Sequence, residues 1–213
     1  IYFVIARFVK VDERELVLEM VIKVSQNILL RGDGYNEFVD RIIAFNESLY
    51  TDALTGIYNR RYVNEQLPFL IRQAFLGGGN LAVSMVDIDH FKSINDEHGH
   101  QFGDKVLCKV AHFLQNNISK KKGDFVVRYG GDEFLLVFLD IEETAYRKRL
   151  LEIMELSRDL KLSRRGNDVN ISLSMGGAHL KELEDPAFDS VISLSDKRMY
   201  DAKRSGRGQL VLE

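Results

Sequence analysis

The order of predicted strands and helices between residues 80 and 180 restricts this chain to very few folds. Short β-branched runs alternate there with longer stretches whose apolar residues recur at helical spacing. The segments are, in order, strand 81–88, helix 104–118, strands 125–129 and 133–139, helix 142–160 and strand 169–180. This βαββαβ order predicts an α+β, ferredoxin-like fold, in which a palm-type antiparallel sheet of four strands carries both helices on one face. Further helices at 61–75 and 188–205 are expected to flank it.

The first 51 residues are predicted to form a separate region. Two β-rich runs within residues 1–24 predict a hairpin, which is too small to bury a core of its own. We therefore assign 1–34 to a fragment of an upstream region and 35–51 to a linker or signalling helix. That helix carries an apolar stripe at spacings of 4, 3 and 4, formed by Phe38, Ile42, Phe45 and Leu49. The stripe fits a short coiled coil and, equally, a helix packed on its own domain.

Charge and composition exclude several classes of protein. The 29 basic residues nearly balance 32 acidic ones, giving a net charge of −3, so bulk positive charge cannot hold nucleic acid or a membrane surface. No apolar run reaches the roughly 18 residues that a membrane span needs. The single cysteine, Cys108, cannot form an internal disulfide, so a cytoplasmic location is expected. Because the chain starts at Ile1 without a signal-peptide pattern, we expect a fragment of a longer protein, whose upstream part could be membrane-anchored.

Acidic residues follow the first strand of the βαββαβ unit and occupy the hairpin between its second and third strands. Asp87 and Asp89 end the first strand, and Asp132 and Glu133 lie in the hairpin. These two places are neighbours at the centre of the predicted sheet, so the carboxylates are expected to converge. Converging carboxylates repel one another unless a cation lies between them, and hard oxygen ligands suit Mg²⁺ or Mn²⁺. Either pair of acidic residues, taken alone, would also be consistent with a turn whose side chains are simply exposed to solvent.

Two glycines, Gly130 and Gly131, precede these hairpin acids. Missing side chains would let a phosphate or base approach the backbone, although a glycine pair is also good hairpin chemistry. Together with the carboxylates, they indicate a metal-dependent nucleotidyl-transfer site.

Five ordered motifs give the chain a family resemblance. RYGGDEF at 128–134 resembles the signature of GGDEF diguanylate cyclases, which join two GTP molecules into cyclic di-GMP and release two pyrophosphates. DALTGIYNRR at 52–61 resembles the opening box of that family, and 87–107 resembles its metal and guanine segment. SLSMGGA at 172–178 and DKRMYDAKRSGRGQ at 196–209 resemble its later boxes. The resemblance implies a GGDEF catalytic domain over residues 52–213, and five motifs at family spacing make coincidence remote.

The resemblance implies a catalytic and metal-binding set at the carboxylates. Asp87 would bind metal through its side chain and Ile88 through its carbonyl oxygen. Asp132 would be the second metal-binding carboxylate, associated with activating the attacking 3′-hydroxyl, and Glu133 a further acidic ligand. Two Mg²⁺ (or Mn²⁺) ions per active site would lower the pKa of a bound hydroxyl and neutralise charge on the triphosphate.

The resemblance also implies residues that bind the substrate. Asn95 and Asp104 match the pair that reads guanine, because an amide and a carboxylate complement a hydrogen-bond pattern that adenine lacks. Leu54 and Leu107 would supply apolar walls for the base. The phosphates would be met by the side chains of Lys92, Lys203 and Arg207, by the backbone N–H groups of Phe91 and Lys92, and by the open backbone at Gly130 and Gly131.

One departure from the family pattern concerns product inhibition. The inhibitory site of the family is an RxxD motif, and Lys121 stands here where the arginine would be, with Asp124 retained. Lysine cannot reproduce the planar, bidentate contacts of a guanidinium group, so we expect this degenerate site to give weak or no feedback inhibition.

The resulting hypothesis is an active diguanylate cyclase. One domain holding one GTP cannot close a symmetric ring, so a two-fold homodimer is expected, with the 35–51 helix relaying a signal from an upstream sensor domain. Two alternatives stay open at this stage. One is a catalytically silent receptor for GTP or cyclic di-GMP, which the intact signature disfavours, and the other is a relaxed cyclase that also accepts ATP.

Overall fold

The structure, a computed structural model, describes most of the chain in two separate units. The described residues are 2–11, 14–23, 48–119, 123–164 and 166–213. Contacts divide the chain into Ile1–Glu47 and Ser48–Glu213. In the first unit, strands β1 (Tyr2–Val11) and β2 (Arg14–Lys23) pair antiparallel.

Most of the predicted signalling helix lies outside the described residues. Residues 35–47 of the 35–51 segment, with Phe38, Ile42 and Phe45, are not described, whereas residues 48–50 have helical backbone. The coiled-coil interpretation of that stripe therefore stays a prediction. Within the described part of the chain, no helix combines the length and apolar character required to cross a bilayer.

A six-stranded sheet forms the centre of the second unit. Its strands are β3 (Tyr58–Asn59), β4 (Leu81–Ile88), β5 (Phe125–Gly130), β6 (Glu133–Leu139), β9 (Leu173–His179) and β10 (Leu210–Val211). They lie in the order β10-β9-β4-β6-β5-β3. The four central strands pair antiparallel, and the two short outer strands pair parallel to their neighbours. This confirms the predicted α+β, ferredoxin-like arrangement and places β4 in the middle.

Helices cover both faces of this sheet. They are α1 (Arg60–Leu76), α2 (Phe91–His98), α3 (His100–Asn116), α4 (Glu143–Ser157) and α5 (Phe188–Arg204). The α3 and α4 helices of the βαββαβ unit contribute to one apolar cluster, and α1 and α5 contribute to the other. Every residue of β4 is buried, because alternate side chains enter opposite clusters. A strand covered on both faces needs a nearly continuous apolar run, which explains why Ser84 is the one polar residue of LAVSMV.

The predicted strand at 169–180 was wrong in its extent. Residues Asn167–Asn170 form β8, which pairs with β7 (Lys161–Arg164) in a separate hairpin, and only Leu173–His179 belong to the central sheet. Gly166, with a φ of +86°, lies in the turn of this hairpin. The helix expected to reach residue 160 ends at Ser157 for the same reason, since β7 begins soon afterwards.

The segment between β4 and β5 holds two helices where one was predicted. The α2 helix was not anticipated, and α3 begins at His100 rather than at Asp104. Gly99, with a φ of +84°, separates the two helices, because few other residues adopt that left-handed backbone.

Close packing of α5 on β9 brings a basic side chain to the site. A Cβ atom at Gly176 would lie 2.0 Å from the backbone N of Met199 and 2.3 Å from the carbonyl oxygen of Ser195. Only glycine permits this approach of helix to strand. Lys203, one turn beyond Met199, thereby reaches the end of β4.

Candidate active site

Three acidic residues meet where β4 ends beside the signature hairpin. Asp87 is opposite Glu133 in the antiparallel pairing of β4 with β6. The backbone N–H of Ile88 donates a hydrogen bond to the carbonyl oxygen of Asp132, at 3.3 Å. The structure therefore brings together the two chain segments that carry these acidic residues, which the sequence placed at separate points.

Asp87 is the electrostatic centre of this cluster. Its side chain is buried, and its Oδ2 lies 2.7 Å from the Nζ of Lys203. Burial, with smaller contributions from the nearby charges of Asp132 and Glu133, raises the pKa of Asp87 from 3.8 to about 6, although Lys203 opposes the rise. The pKa of this buried carboxylate stays high even beside a lysine, so the lysine compensates its charge only in part. A divalent cation could therefore replace the lysine as the partner of Asp87.

A cleft of about 280 Å³ opens beside these acids. It is lined by Asp87, Ile88, Asp89, His90, Phe91, Lys92, Ser93, Asp132, Lys203 and Arg207. The N-terminus of α2 borders it, and the side chain of His90, the residue at the N-cap position, makes no capping hydrogen bond. Uncapped N–H groups and the helix dipole favour an anion there, as predicted for the backbone of Phe91 and Lys92. Acidic and basic groups thus share one opening.

The donor set of the cleft fits a hard divalent cation. Asp87 and Asp132 line the cleft and offer carboxylate oxygens, and Ile88 adds a carbonyl at the same strand end. Glu133, which does not line the cleft, is opposite Asp87 in the sheet. Among the described residues, no three His, Cys, Asp or Glu side chains are already close enough together to hold a metal ion. The Lys203 ammonium group currently neutralises Asp87, so a metal ligand set would require that ion pair to open.

Asp89 has a different role from Asp87, although both end β4. Its Oδ2 accepts hydrogen bonds from the hydroxyl of Ser172 at 2.6 Å and from the backbone N–H of Gly208 at 2.9 Å. Its Oδ1 accepts from the hydroxyl of Ser174, also at 2.6 Å. These bonds hold the loop before β10, in which Arg207 has a φ of +65°, against β9. Asp89 therefore fixes the backbone that presents Arg207 to the cleft.

The signature hairpin is held by an arginine from its own strand. The guanidinium group of Arg128 donates to the carbonyl oxygen of Gly131, at 3.1 Å from Nε and 2.9 Å from the second terminal nitrogen. Its other terminal nitrogen lies 3.1 Å from the carboxylate of Asp52. Burial would raise the pKa of Asp52, but hydrogen bonds from Thr55 and Arg128 outweigh burial and lower it. One arginine thus links the hairpin to the loop that carries Leu54.

The glycines of the hairpin leave open space. A Cβ atom at Gly131 would meet no atom of the described residues within 4 Å, and one at Gly130 would lie 3.2 Å from a carboxylate oxygen of Glu133. Neither glycine has a positive φ, so backbone conformation does not require them. The open approach at Gly131 agrees with the expected access of a nucleotide to this backbone.

A second cleft lies beside α3 and is largely apolar. Its volume is about 460 Å³, and it is lined by Leu54, Asp104, Lys105, Cys108, Lys109, His112 and Leu162. Leu54 is 37% exposed, which is unusual for leucine and leaves an apolar face for a flat ring. Leu107 is instead buried in the core cluster. The structure thus brings Leu54 and Asp104 together at one cleft.

Asn95, the other residue expected to read the base, lies on α2. Its Oδ1 is buried and has no hydrogen-bond partner among the described residues. Buried polar atoms without a partner are rare and costly in folded proteins. An acceptor left in this state is suited to a donor that a ligand would bring.

The carboxylate of Asp124, from the expected inhibitory motif, is engaged in hydrogen bonds within the fold. It is buried, and its carboxylate accepts hydrogen bonds from the backbone N–H groups of Leu139, at 2.9 Å, and Ser119, at 3.3 Å. Lys121, its expected partner in that motif, lies outside the described residues. Weak feedback inhibition at this motif therefore stays a prediction.

Sequence reasoning missed several interactions that support the site, and two of them hold its loops in place. The first is the Asp52–Arg128 ion pair, whose members are 76 residues apart and carry no local sign of pairing. The second is the Asp89 network, for which the sequence holds a usable signal. Asp87 pairs with Ser174 and Ile88 with Leu173 in the register of β4 and β9, so Asp89 faces Ser172.

Comparisons with known proteins agree with this geometry. The family model "Diguanylate cyclase, GGDEF domain" matches residues 49–209. Diguanylate cyclase DosC of Escherichia coli K12 is 35% identical over 162 residues, which cover 76% of this chain and 34% of DosC. Response regulator PleD of Caulobacter vibrioides is 34% identical over 175 residues, covering 78% of this chain and 36% of PleD. The chain therefore spans about a third of the length of these relatives.

The solved structures include a similar domain with a nucleotide bound. The coiled coil and GGDEF domain of DgcB from Caulobacter crescentus, in complex with c-di-GMP, superposes with a TM-score of 0.77 at 28% identity. The superposition covers 84% of this chain and 93% of the DgcB chain.

Proposed function

The chain belongs to the GGDEF domain family, and we propose that it acts as a diguanylate cyclase that condenses two GTP molecules into cyclic di-GMP. The observation that carries this proposal is the buried Asp87, held beside Asp132, Glu133 and Lys203 at the mouth of a cleft with an uncapped helix N-terminus. Such a site can hold both a divalent cation and a triphosphate. The names of DosC and DgcP, two relatives above 30% identity, support the same activity.

The proposed reaction forms two phosphodiester bonds. The 3′-oxygen of one GTP attacks the α-phosphorus of the other, the bond from that phosphorus to the α,β-bridging oxygen breaks, and pyrophosphate leaves. The hydroxyl proton passes to the carboxylate of Asp132, which lies beside the hairpin backbone that Arg128 fixes. The same step, repeated with the roles of the nucleotides exchanged, closes the ring and releases a second pyrophosphate.

We assign the metal ligands to Asp87, the carbonyl oxygen of Ile88, Asp132 and Glu133. Divalent ions, proposed to be two Mg²⁺ or Mn²⁺ per site, would polarise the phosphate and lower the pKa of the attacking hydroxyl when bound. Asp87 would exchange the ammonium group of Lys203 for the metal. Lys203 would then be available to the phosphates, together with Lys92, Arg207 and the first N–H groups of α2.

Base recognition is assigned to the apolar cleft and to α2. Asp104 would accept from the N–H groups of guanine, and the buried Oδ1 of Asn95 would gain the donor that it lacks in the structure. The exposed face of Leu54 would cover the ring, with Leu107 contributing from the core. Adenine presents an acceptor where guanine presents N1–H, so it would leave the carboxylate of Asp104 without that hydrogen bond.

Symmetry of the product implies a homodimer. Each domain would bring one GTP, and two domains would meet about a two-fold axis so that each hydroxyl reaches the opposite phosphorus. We propose that an upstream sensor domain controls this meeting through the 35–51 helix. The prediction is that polar substitutions at Ile42 and Phe45 lower activity mainly through dimerisation, which a changed concentration dependence of the rate would reveal.

A product assay tests the central claim. Purified protein is incubated with Mg²⁺ and GTP, ATP or both, and the nucleotides are identified by mass spectrometry. Cyclic di-GMP from GTP is expected, with none from Asp132→Asn and little from ATP alone. Absence of any cyclic dinucleotide from every dimer-forming version of the protein, upstream region included, would refute the proposal. Tight GTP binding without turnover would instead indicate the receptor alternative.

A further inference from the structure

The amide of Asn95, whose Oδ1 is buried, occupies space that a missing side chain provides. Gly103 lies on α3, one turn after the junction with α2, and its backbone N–H donates to the carbonyl oxygen of Gly99 at 3.2 Å. A Cβ atom at Gly103 would lie 1.8 Å from the Oδ1 of Asn95 and 2.9 Å from its Cγ. Real atoms do not approach so closely, so any side chain at residue 103 must displace this amide.

No backbone requirement explains glycine at this position. Gly103 is not among the glycines with positive φ, and it lies within a regular helix. Glycine inside a helix is less stable than alanine, because it loses more backbone entropy on folding. The three nearest atoms that a Cβ atom would meet belong to Asn95 and, at 3.3 Å, to the ring edge of Phe91. The space at Gly103 therefore serves the side chain of Asn95.

We infer that Gly103 is a positioning residue for base selection, which keeps the Asn95 amide in the orientation that receives the base. The inference rests on the proposed function, since it takes Asn95 as a guanine-reading residue. The Oδ1 of Asn95 is already buried without a hydrogen-bond partner among the described residues, so this oxygen gains no hydrogen bond from its orientation. Closing the space with a methyl group would turn the amide away and remove one base contact, while the phosphate cleft stays intact.

The test is a double-mutant cycle that joins Gly103→Ala with Asn95→Ala. Affinity is measured for GTP and ATP analogues in which methylene replaces the α,β-bridging oxygen, so that no turnover interferes. Gly103→Ala is expected to weaken binding of the GTP analogue about tenfold, and the same loss is expected for Asn95→Ala. Binding of the ATP analogue should be unchanged in both variants. The double variant should bind no more weakly than Asn95→Ala alone, because the truncated side chain leaves room for the methyl group.

Thermal unfolding without ligand supplies an independent reading of the same contact. Gly103→Ala should lower the unfolding temperature of the wild type but not that of Asn95→Ala, where alanine instead improves the helix. Gly79→Ala is the matched control, because its Cβ atom would meet only ordinary contacts at 3.6 Å and Gly79 has no positive φ. Gly79→Ala should leave the affinity for the GTP analogue and the affinity for the ATP analogue unchanged.

Each outcome separates the two claims. Additive losses in the double variant, or equal losses for both analogues, would overturn the role of Gly103 while leaving GTP binding in place. A wild-type protein that bound neither analogue would refute the proposed function itself, and with it the link to base selection. In that case the unfolding experiment would still decide whether Gly103 and Asn95 are sterically coupled.

Discussion

Replacing Asp87 by asparagine is expected to stabilise the metal-free protein while abolishing cyclic dinucleotide synthesis. Burial raises the pKa of Asp87 from 3.8 to about 6 even though Lys203 pairs with it. At about 1.4 kcal/mol per pKa unit, this rise corresponds to about 3 kcal/mol lost by the native state when the carboxyl group ionises. An amide of the same size carries no charge. We therefore expect Asp87→Asn to gain about 1–3 kcal/mol at neutral pH.

The pH dependence of unfolding follows from the same pKa. The unfolded chain releases this proton near pH 3.8, whereas the native state retains it to about pH 6. Folding therefore takes up a proton within that window, and the contribution of Asp87 to stability falls as the pH rises from about 4 to about 6. Above about pH 6 this stabilising contribution has been lost completely, and the titration of Asp87 no longer changes stability. The Asp87→Asn variant should lack this decline, so its advantage should grow across the window.

Urea unfolding at pH 4.5, 6 and 7.5 with chelator present would measure both effects. Far-UV circular dichroism is the suitable probe, since the chain contains no tryptophan. Adding Mg²⁺ and GTP should stabilise the wild type by binding and leave Asp87→Asn unchanged. If the variant were no more stable than the wild type at pH 7.5, or declined equally between pH 4.5 and 6, the assignment of an unfavourable buried charge to Asp87 would be wrong.

Asp89→Asn is the matched control for this experiment. It changes the same residue type two positions along the chain, in an equally buried setting. Its oxygens accept three hydrogen bonds, one of them from the fixed backbone N–H of Gly208. An amide nitrogen facing these donors would leave at least one unsatisfied, so a loss of about 1–3 kcal/mol is expected. Opposite signs for the two substitutions would exclude a general effect of removing negative charge.

Three further predictions concern packing, regulation and the hairpin. Gly176→Ala should destabilise the fold by about 3 kcal/mol or more, because its Cβ atom would collide with helix backbone, whereas Gly131→Ala should change the unfolding midpoint little. Calorimetric titration with cyclic di-GMP should show weak or no inhibitory binding, and tight binding lost in a folded Asp124→Asn variant would contradict this. Arg128→Met should lower turnover at least tenfold by freeing Gly131 and leaving Asp52 without its cation, and wild-type kinetics from a folded variant would disprove that role.

The sequence predicted the fold best where apolar periodicity was strong. The segments 125–129 and 133–139 agree with β5 and β6 to within one residue, because each is a short run dominated by β-branched, aromatic and other apolar residues. The hairpin of β7 and β8 was missed, since its strands are only four residues long and mostly exposed. Its pairing is local and contributes little to the apolar pattern on which such predictions depend.

The candidate site was predictable through its motifs but not through its supporting contacts. The convergence of Asp87 with Glu133 followed from strand order alone, as the register of β4 and β6 shows. The pairing of Asp87 with Lys203 joins residues from opposite ends of the domain, and only the three-dimensional packing of α5 determines it. The steric relation of Gly103 to Asn95 likewise depends on how two helices meet at Gly99. No periodicity encodes such a distance.

The two aspartates that end β4 show how the fold maintains an unfavourable site. Asp89 is fully engaged in hydrogen bonds, and these fix the loop in which Arg207 adopts a left-handed backbone beside the cleft. Asp87 is buried among acids with one lysine, at a cost to stability that a bound cation would remove. Weakening the network at Asp89 should therefore loosen Arg207 and impair phosphate binding before it affects the metal ligands. Removing the charge at Asp87 should instead stabilise the fold and weaken cation binding, because the buried carboxylate that a cation would neutralise is no longer present.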